Sequence, residues 1–154
     1  MSDYEVDFFA WTQRQGGLLR RLAAGERVND ADLDWPNIAE EIETLGRSER
    51  RLLTNQLATI IEHLVKLQAS PAQEPRAGGR ATIRRCRLSV EELLDNNPSL
   101  RPVADKLVAD AMKTGRRLAE VAFEEYGERP RVDPRTLSYA INQVVGDWFP
   151  DEPQ

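Results

Sequence analysis

Apolar residues recur along this chain at steps of three and four, and no segment alternates with a period of two. That pattern predicts helices and no strands. The first predicted helix covers residues 7–24, with Phe8, Trp11, Gln15, Leu18, Leu19 and Leu22 on one face. Asp3 or Asp7 is placed to cap its start. Gly16 and Gly17 weaken its middle, at about 1 kcal/mol each relative to Ala. Gly25 suits the left-handed position that ends a helix. The second helix begins at Asp34, with Pro36 tolerated in the first turn because its missing N–H has no partner there. Its stripe runs Ile38, Ile42, Leu45, Leu52, Leu53, Leu57, Ile60, Leu64, Leu67. The phase does not jump at Gly46, so one helix over residues 36–69 is predicted, roughly 50 Å long, rather than two broken at that glycine.

Residues 70–79 read as a loop, with Ser70-Pro71, Pro75 and Gly78-Gly79. The third helix is predicted over 80–96, burying Ile83, Cys86, Val90, Leu93 and Leu94, and ending at Asn96-Asn97-Pro98. A fourth starts at Asn97 or Ser99 with near-heptad apolar spacing from Leu100 to Phe123, and Gly115 on that face allows close helix contact. Gly127 and Pro130 stop it. A short helix over 135–145 carries Leu137, Ile141, Val144 and Val145, and Trp148-Phe149-Pro150 follows. Short connections make successive helices antiparallel. The expected architecture is all-α: one domain over residues 1–154, a four-helix up-and-down bundle with a long second helix and a short C-terminal helix.

Length and composition sharpen this. A chain of 154 residues is long enough for one real core. With 40% hydrophobic and 31% charged residues it is too charged for a membrane protein and too apolar for a disordered one. No apolar run is long enough to cross a bilayer. The acidic start Met1-Ser2-Asp3-Tyr4-Glu5 lacks the basic-then-apolar order of a signal peptide. The lone Cys86 makes no internal disulfide and asks for no oxidising compartment. The expectation is a soluble, cytoplasmic, bacterial protein. A net charge of −5 argues against a molecule that sheathes nucleic acid.

Several segments resemble a known family. They are Tyr4-x-x-Asp7-Phe8-x-x-Trp11-x-x-x-Gln15; the long run from Leu33-Asp34-Trp35 through Asn37-Ile38-Ala39-Glu40-Glu41-Ile42-Glu43 to Leu45-Gly46 and Ser48-Glu49; His63-Leu64-x-Lys66; Thr82-Ile83; Leu93-Leu94-Asp95-x-x-Pro98-Ser99-Leu100; and Trp148-Phe149-Pro150. Together they resemble the bacterial family called domain of unknown function 29. The resemblance implies a small helical bacterial protein and supplies no activity. The chain departs from the family pattern before Thr82-Ile83, where Gly78-Gly79-Arg80-Ala81 replaces a Ser-Trp pair, and at Gln15-Gly16, where Gln-Ala is usual.

Two clusters carry candidate chemistry. Asn37, Glu40, Glu41 and Glu43 crowd the start of the long helix, and His63 lies further along it. A di-iron bundle needs Glu-x-x-His on two helices; this chain has one histidine, and Ile60 stands three residues before it. Acids at the positive end of a helix and a half-buried histidine explain these residues without a metal. The second cluster is basic: Arg80, Arg84 and Arg87 share a helix face, and Gly78 and Gly79 precede them. Free amides and arginines there suit an anion or phosphate, but a solvated face answering acids such as Glu91 or Glu40 is the favoured explanation. No serine stands in a G-x-S-x-G elbow. No cofactor and no metal are expected. The leading expectation is a non-catalytic interaction or regulatory module with a protein partner, a homo-oligomer being left open. The alternatives are a small-ligand or metal-binding protein or enzyme using Glu41 and His63, and an anion or nucleic-acid binder through Arg80, Arg84 and Arg87. Neither nucleic acid nor a membrane is the favoured partner.

Overall fold

The computed structural model describes residues 2–72 and 76–151. Among these residues there are six α-helices and no strand: α1 Asp3–Val6, α2 Phe8–Ala23, α3 Trp35–Ala69, α4 Arg76–Asn96, α5 Ala104–Glu125 and α6 Ile141–Val145. No helix among them is long and apolar enough to cross a membrane.

The helix expected over 7–24 is preceded by a separate turn. Asp7 takes a non-helical backbone (φ −147, ψ 85), ends α1, and caps α2 by accepting from the Ala10 amide at 2.9 Å. Helix α3 runs unbroken through Gly46, as the constant phase of its stripe predicts. Helix α4 starts at Arg76, so Gly78 and Gly79 lie inside a helix rather than in the expected loop. The central part of that loop, residues 73–75, lies outside the described residues.

The fourth helix begins later than expected. Residues Pro98–Val103 form a 3₁₀ turn, and α5 starts only at Ala104. Pro102 has no amide to donate and disfavours helical backbone at Arg101, while Pro98 stands at the first position of the 3₁₀ turn, where a proline is tolerated. The last predicted helix also shortens. Pro134–Thr136 form a 3₁₀ turn capped by Asp133, whose side chain accepts from the Arg135 amide, and Leu137 is already extended. The helix resumes at Ile141.

The chain divides into two compact units, residues 1–48 and 49–154. In residues 49–154 the core is mainly aliphatic, with Phe123 and Tyr139 at its margin. Leu57, Ile60, Ile61 and Leu64 of α3 cluster with Ile83 and Val90 of α4, Leu107 and Ala111 of α5, and Val144 of α6. Gly115 lets α5 approach α3 closely. A Cβ there would stand 2.7 Å from Ile61 Cγ2 and 2.9 Å from the Ala58 carbonyl oxygen, closer than real side chains come. In residues 1–48 the buried hydrophobic cluster is Trp11, Leu33 and Ile38, with Tyr4, Leu18, Leu19 and Val28 against it.

Candidate functional site

The acidic start of α3 is tied to aromatic and amide donors within residues 1–48. Asp34 Oδ2 accepts from Trp11 Nε1 at 3.0 Å and from Asn37 Nδ2 at 2.8 Å. Gln15 is buried and bonds backbone on both sides of Leu33: its Nε2 donates to the Asp32 carbonyl at 3.2 Å, and its Oε1 accepts from the Asp34 amide at 2.9 Å. Tyr4 donates to Glu41 Oε1 at 2.5 Å. The bond from Asn37, with that from Trp11, holds the Asp34 carboxyl below its ordinary value. The bond to Glu41 raises the Tyr4 phenol. The outward acids meet one base: Arg47 donates to Glu40 at 2.7 Å and lies 3.6 Å from Glu43. Glu41 is thus the partner of an aromatic residue on a preceding helix and Asn37 the partner of Asp34, while Glu40 and Glu43 form a solvated ion-pair cluster. Beside them Ile42 is 64% exposed and Leu45 69% exposed.

His63 lies elsewhere. It is 22 positions beyond Glu41 in sequence and belongs to residues 49–154, Glu41 to residues 1–48. Within residues 49–154 it lines a cavity of about 520 Å³. The end of α3 contributes His63, Lys66 and Leu67; the first turns of α4 contribute Arg76, Gly78, Gly79 and Thr82. The end of α5, with Phe123, and Ser70 and Glu128 complete the wall. The glycine at 79 keeps that wall thin: a Cβ there would touch Leu67 and His63 Nδ1 at 3.7 and 3.8 Å. Burial, and then the Lys66 charge, push the His63 imidazole below its ordinary value.

The arginines divide. Gly78 and Gly79 face the cavity with His63. Arg87 is buried, and its guanidinium donates to the carbonyls of Val144 (2.9 Å), Gln143 (2.9 Å) and Trp148 (2.6 Å). Arg80, Arg84 and Arg87 all stack on the Phe149 ring, at 4.9, 5.2 and 4.8 Å from its centre. Such contacts are cation–π interactions. The C-terminal Trp148-Phe149-Pro150 is therefore anchored by the basic stripe. Burial lowers the Arg87 pKa, and it raises that of the Cys86 thiol, keeping it protonated. Among the described residues no three His, Cys, Asp or Glu side chains converge in a way that could hold a metal ion.

Sequence reasoning missed Trp11, Gln15 and Asp34 as one hydrogen-bonded set, and the bond from Tyr4 to Glu41 beside it. Helical spacing placed Trp11 and Gln15 on one face, but nothing local says which carboxylate a buried indole N–H will find. It also missed Ser70 and Glu128, which sit at element ends where no periodicity marks them.

A model of the family described as Domain of unknown function DUF29 matches residues 4–149. No curated protein and no solved structure matches the chain.

Proposed function

Since the chain belongs to the DUF29 family, whose description names no activity, we propose from the geometry that this protein is a non-catalytic interaction module. Residues 1–48 dock a basic amphipathic helix of a partner protein. The observation that carries this reading is the exposure of Ile42 and Leu45, 64% and 69%, one turn apart on α3. They belong to the stripe whose later members, Leu57, Ile60 and Leu64, are fully buried. Two large side chains at core-like spacing but in solvent are the anchors that helix-in-groove recognition uses.

Charge selects the partner. Residues 1–48 hold ten carboxylates and five arginines, and residues 49–154 hold sixteen acids and sixteen bases. The whole net charge of −5 therefore sits in the N-terminal unit, with Glu40, Glu41 and Glu43 around the exposed leucine and isoleucine. Acidic flanks steer basic partners and repel acidic ones. Phe8 and Phe9, also exposed in this unit, add apolar surface.

The same reading carries the four-helix up-and-down arrangement and a single domain over residues 1–154, supported by the continuity of α3 across residues 48 and 49. It carries a bacterial source, after the family resemblance, and a cytoplasmic location, in keeping with a single buried cysteine that makes no internal disulfide. The test is titration with two synthetic amphipathic helices of equal apolar stripe, one with lysine flanks and one with glutamate flanks. The lysine peptide is expected to bind, the glutamate peptide not, and Leu45→Lys to abolish binding. Equal binding of both peptides, or no binding of either, overturns the proposal. Self-association lost in Leu45→Lys would assign the face to a second copy and overturn the partner named here.

A further inference from the structure

The cavity at the end of α3 supports an inference independent of the docking face, since every residue in it belongs to residues 49–154. Its volume, about 520 Å³, falls in the range of small-molecule sites, roughly 300–1,000 Å³. What matters is which charges in its wall are already answered. Lys66 is answered by Glu62, one turn back, at 2.5 Å. Arg76 has no carboxylate partner among the described residues. Its Nη atoms donate to the carbonyls of Leu67 (2.9 Å) and Ser70 (3.5 Å), and its buried Nε has no hydrogen-bond partner. Glu128 has no basic partner among the described residues either, and accepts from Ser70 Oγ at 2.9 Å. Ser70 thus touches both, its carbonyl toward the guanidinium and its hydroxyl toward the carboxylate. One cation and one anion, each answered only by neutral groups, face the same cavity from either side of one residue.

A simple anion entering this cavity would meet Glu128, and a simple cation would meet Arg76 and Lys66. A neutral apolar molecule would strip water from both ions and give nothing back. A ligand with an anionic and a cationic group close together satisfies both. Leu67, Ala122 and Phe123 give the remaining wall an apolar stretch, beside His63, Thr82 and Tyr126. We propose that this cavity binds a free α-amino acid with an apolar side chain. Its carboxylate pairs with Arg76, its ammonium with Glu128, and its side chain lies against Leu67 and Phe123. Thr82, whose hydroxyl donates to the Gly78 carbonyl at 3.1 Å, keeps acceptor capacity on the same wall.

The experiment is calorimetric titration of the full chain with L-phenylalanine and L-leucine at up to millimolar concentration. N-acetyl-L-phenylalanine, which lacks the ammonium, and L-phenylalaninamide, which lacks the carboxylate, are the comparators. The zwitterions are expected to bind and to raise the melting temperature. Each blocked derivative should bind roughly ten- to hundredfold more weakly, the worth of one charge-assisted hydrogen bond. Glu128→Gln should weaken L-phenylalanine and tighten N-acetyl-L-phenylalanine, whose carboxylate no longer meets a like charge, a selective effect that loss of folding cannot imitate. Gly79→Leu, which fills the cavity beside His63, should abolish binding while circular dichroism remains helical. Failure of both amino acids to bind, equal binding of the blocked derivatives, or a Glu128→Gln variant with unchanged preference overturns the proposal. None of these results bears on the peptide titration at Ile42 and Leu45.

Discussion

Residues 49–154 bury an aliphatic cluster drawn from four helices, with Leu57, Ile60, Ile61, Leu64, Ile83 and Val144 all at or below 1% exposure. Residues 1–48 bury Trp11, Leu33 and Ile38 and supplement them with directed bonds from Trp11, Gln15, Asn37 and Tyr4. The two cores obey different physics. Aliphatic burial is non-directional and grows with area. A hydrogen bond formed on folding replaces one made to water, so its net worth is modest while its geometry is demanding. The larger unit therefore carries the stability. The smaller one holds a defined shape on little burial and keeps Ile42 and Leu45 in solvent. Hydrogen exchange should read this directly, with amides of α2 opening at lower free energy than those of α5.

The largest expected effect is in the aliphatic unit. Leu57→Ala, at a site 1% exposed, should cost roughly 2–5 kcal/mol in urea unfolding. Gly115→Ala should cost about 1–3 kcal/mol by overpacking, because its Cβ lands 2.7 Å from Ile61 Cγ2. A smaller cost, or a loss confined to residues 1–48, would break the comparison.

Next is Arg87→Met, which leaves the carbonyls of Gln143, Val144 and Trp148 without their donor. A loss of about 1–3 kcal/mol is expected, together with a shift in tryptophan fluorescence as Trp148 is released. Gln15→Leu probes the other unit. It removes the bonds to Asp32 and Asp34 and should cost about 1 kcal/mol. The loss should be visible as faster exchange in residues 1–48 and unchanged protection in α5. Uniform loss across the chain would show that the units do not differ as argued.

The smallest effect is a pH dependence. The His63 pKa lies below its ordinary 6.5 in the folded state, so below pH 6.5 the unfolded chain binds the proton more readily. Stability contributed by neutral His63 is present above that pH and falls as pH drops from 6.5 toward the folded pKa. Melting temperature measured across this interval should decline less in His63→Asn than in the parent chain.

Helix content, the unbroken α3 and the close approach at Gly115 were legible in the sequence, and so was the family. Each is written locally, in i, i+3, i+4 spacing or in a contiguous motif. The late start of α5 is also local, because Pro102 disfavours an α-helix across Arg101, although apolar spacing alone had predicted an earlier start. The candidate sites were less legible. Charge runs named Arg80, Arg84 and Arg87, but not that they would surround Phe149, more than sixty residues on. Acid crowding named Glu41, but not that the phenol of Tyr4 would donate to it.

The sequence by itself determined which segments are helical and which face of each is apolar, since both follow from backbone propensity and a 3.6-residue period. Tertiary structure alone decided which buried donor meets which acceptor. It placed Ser70 between Arg76 and Glu128 and left Ile42 and Leu45 in water while Leu57 and Leu64 went inside. Those outcomes depend on where distant helix ends arrive in space, and a one-dimensional period holds no record of that distance.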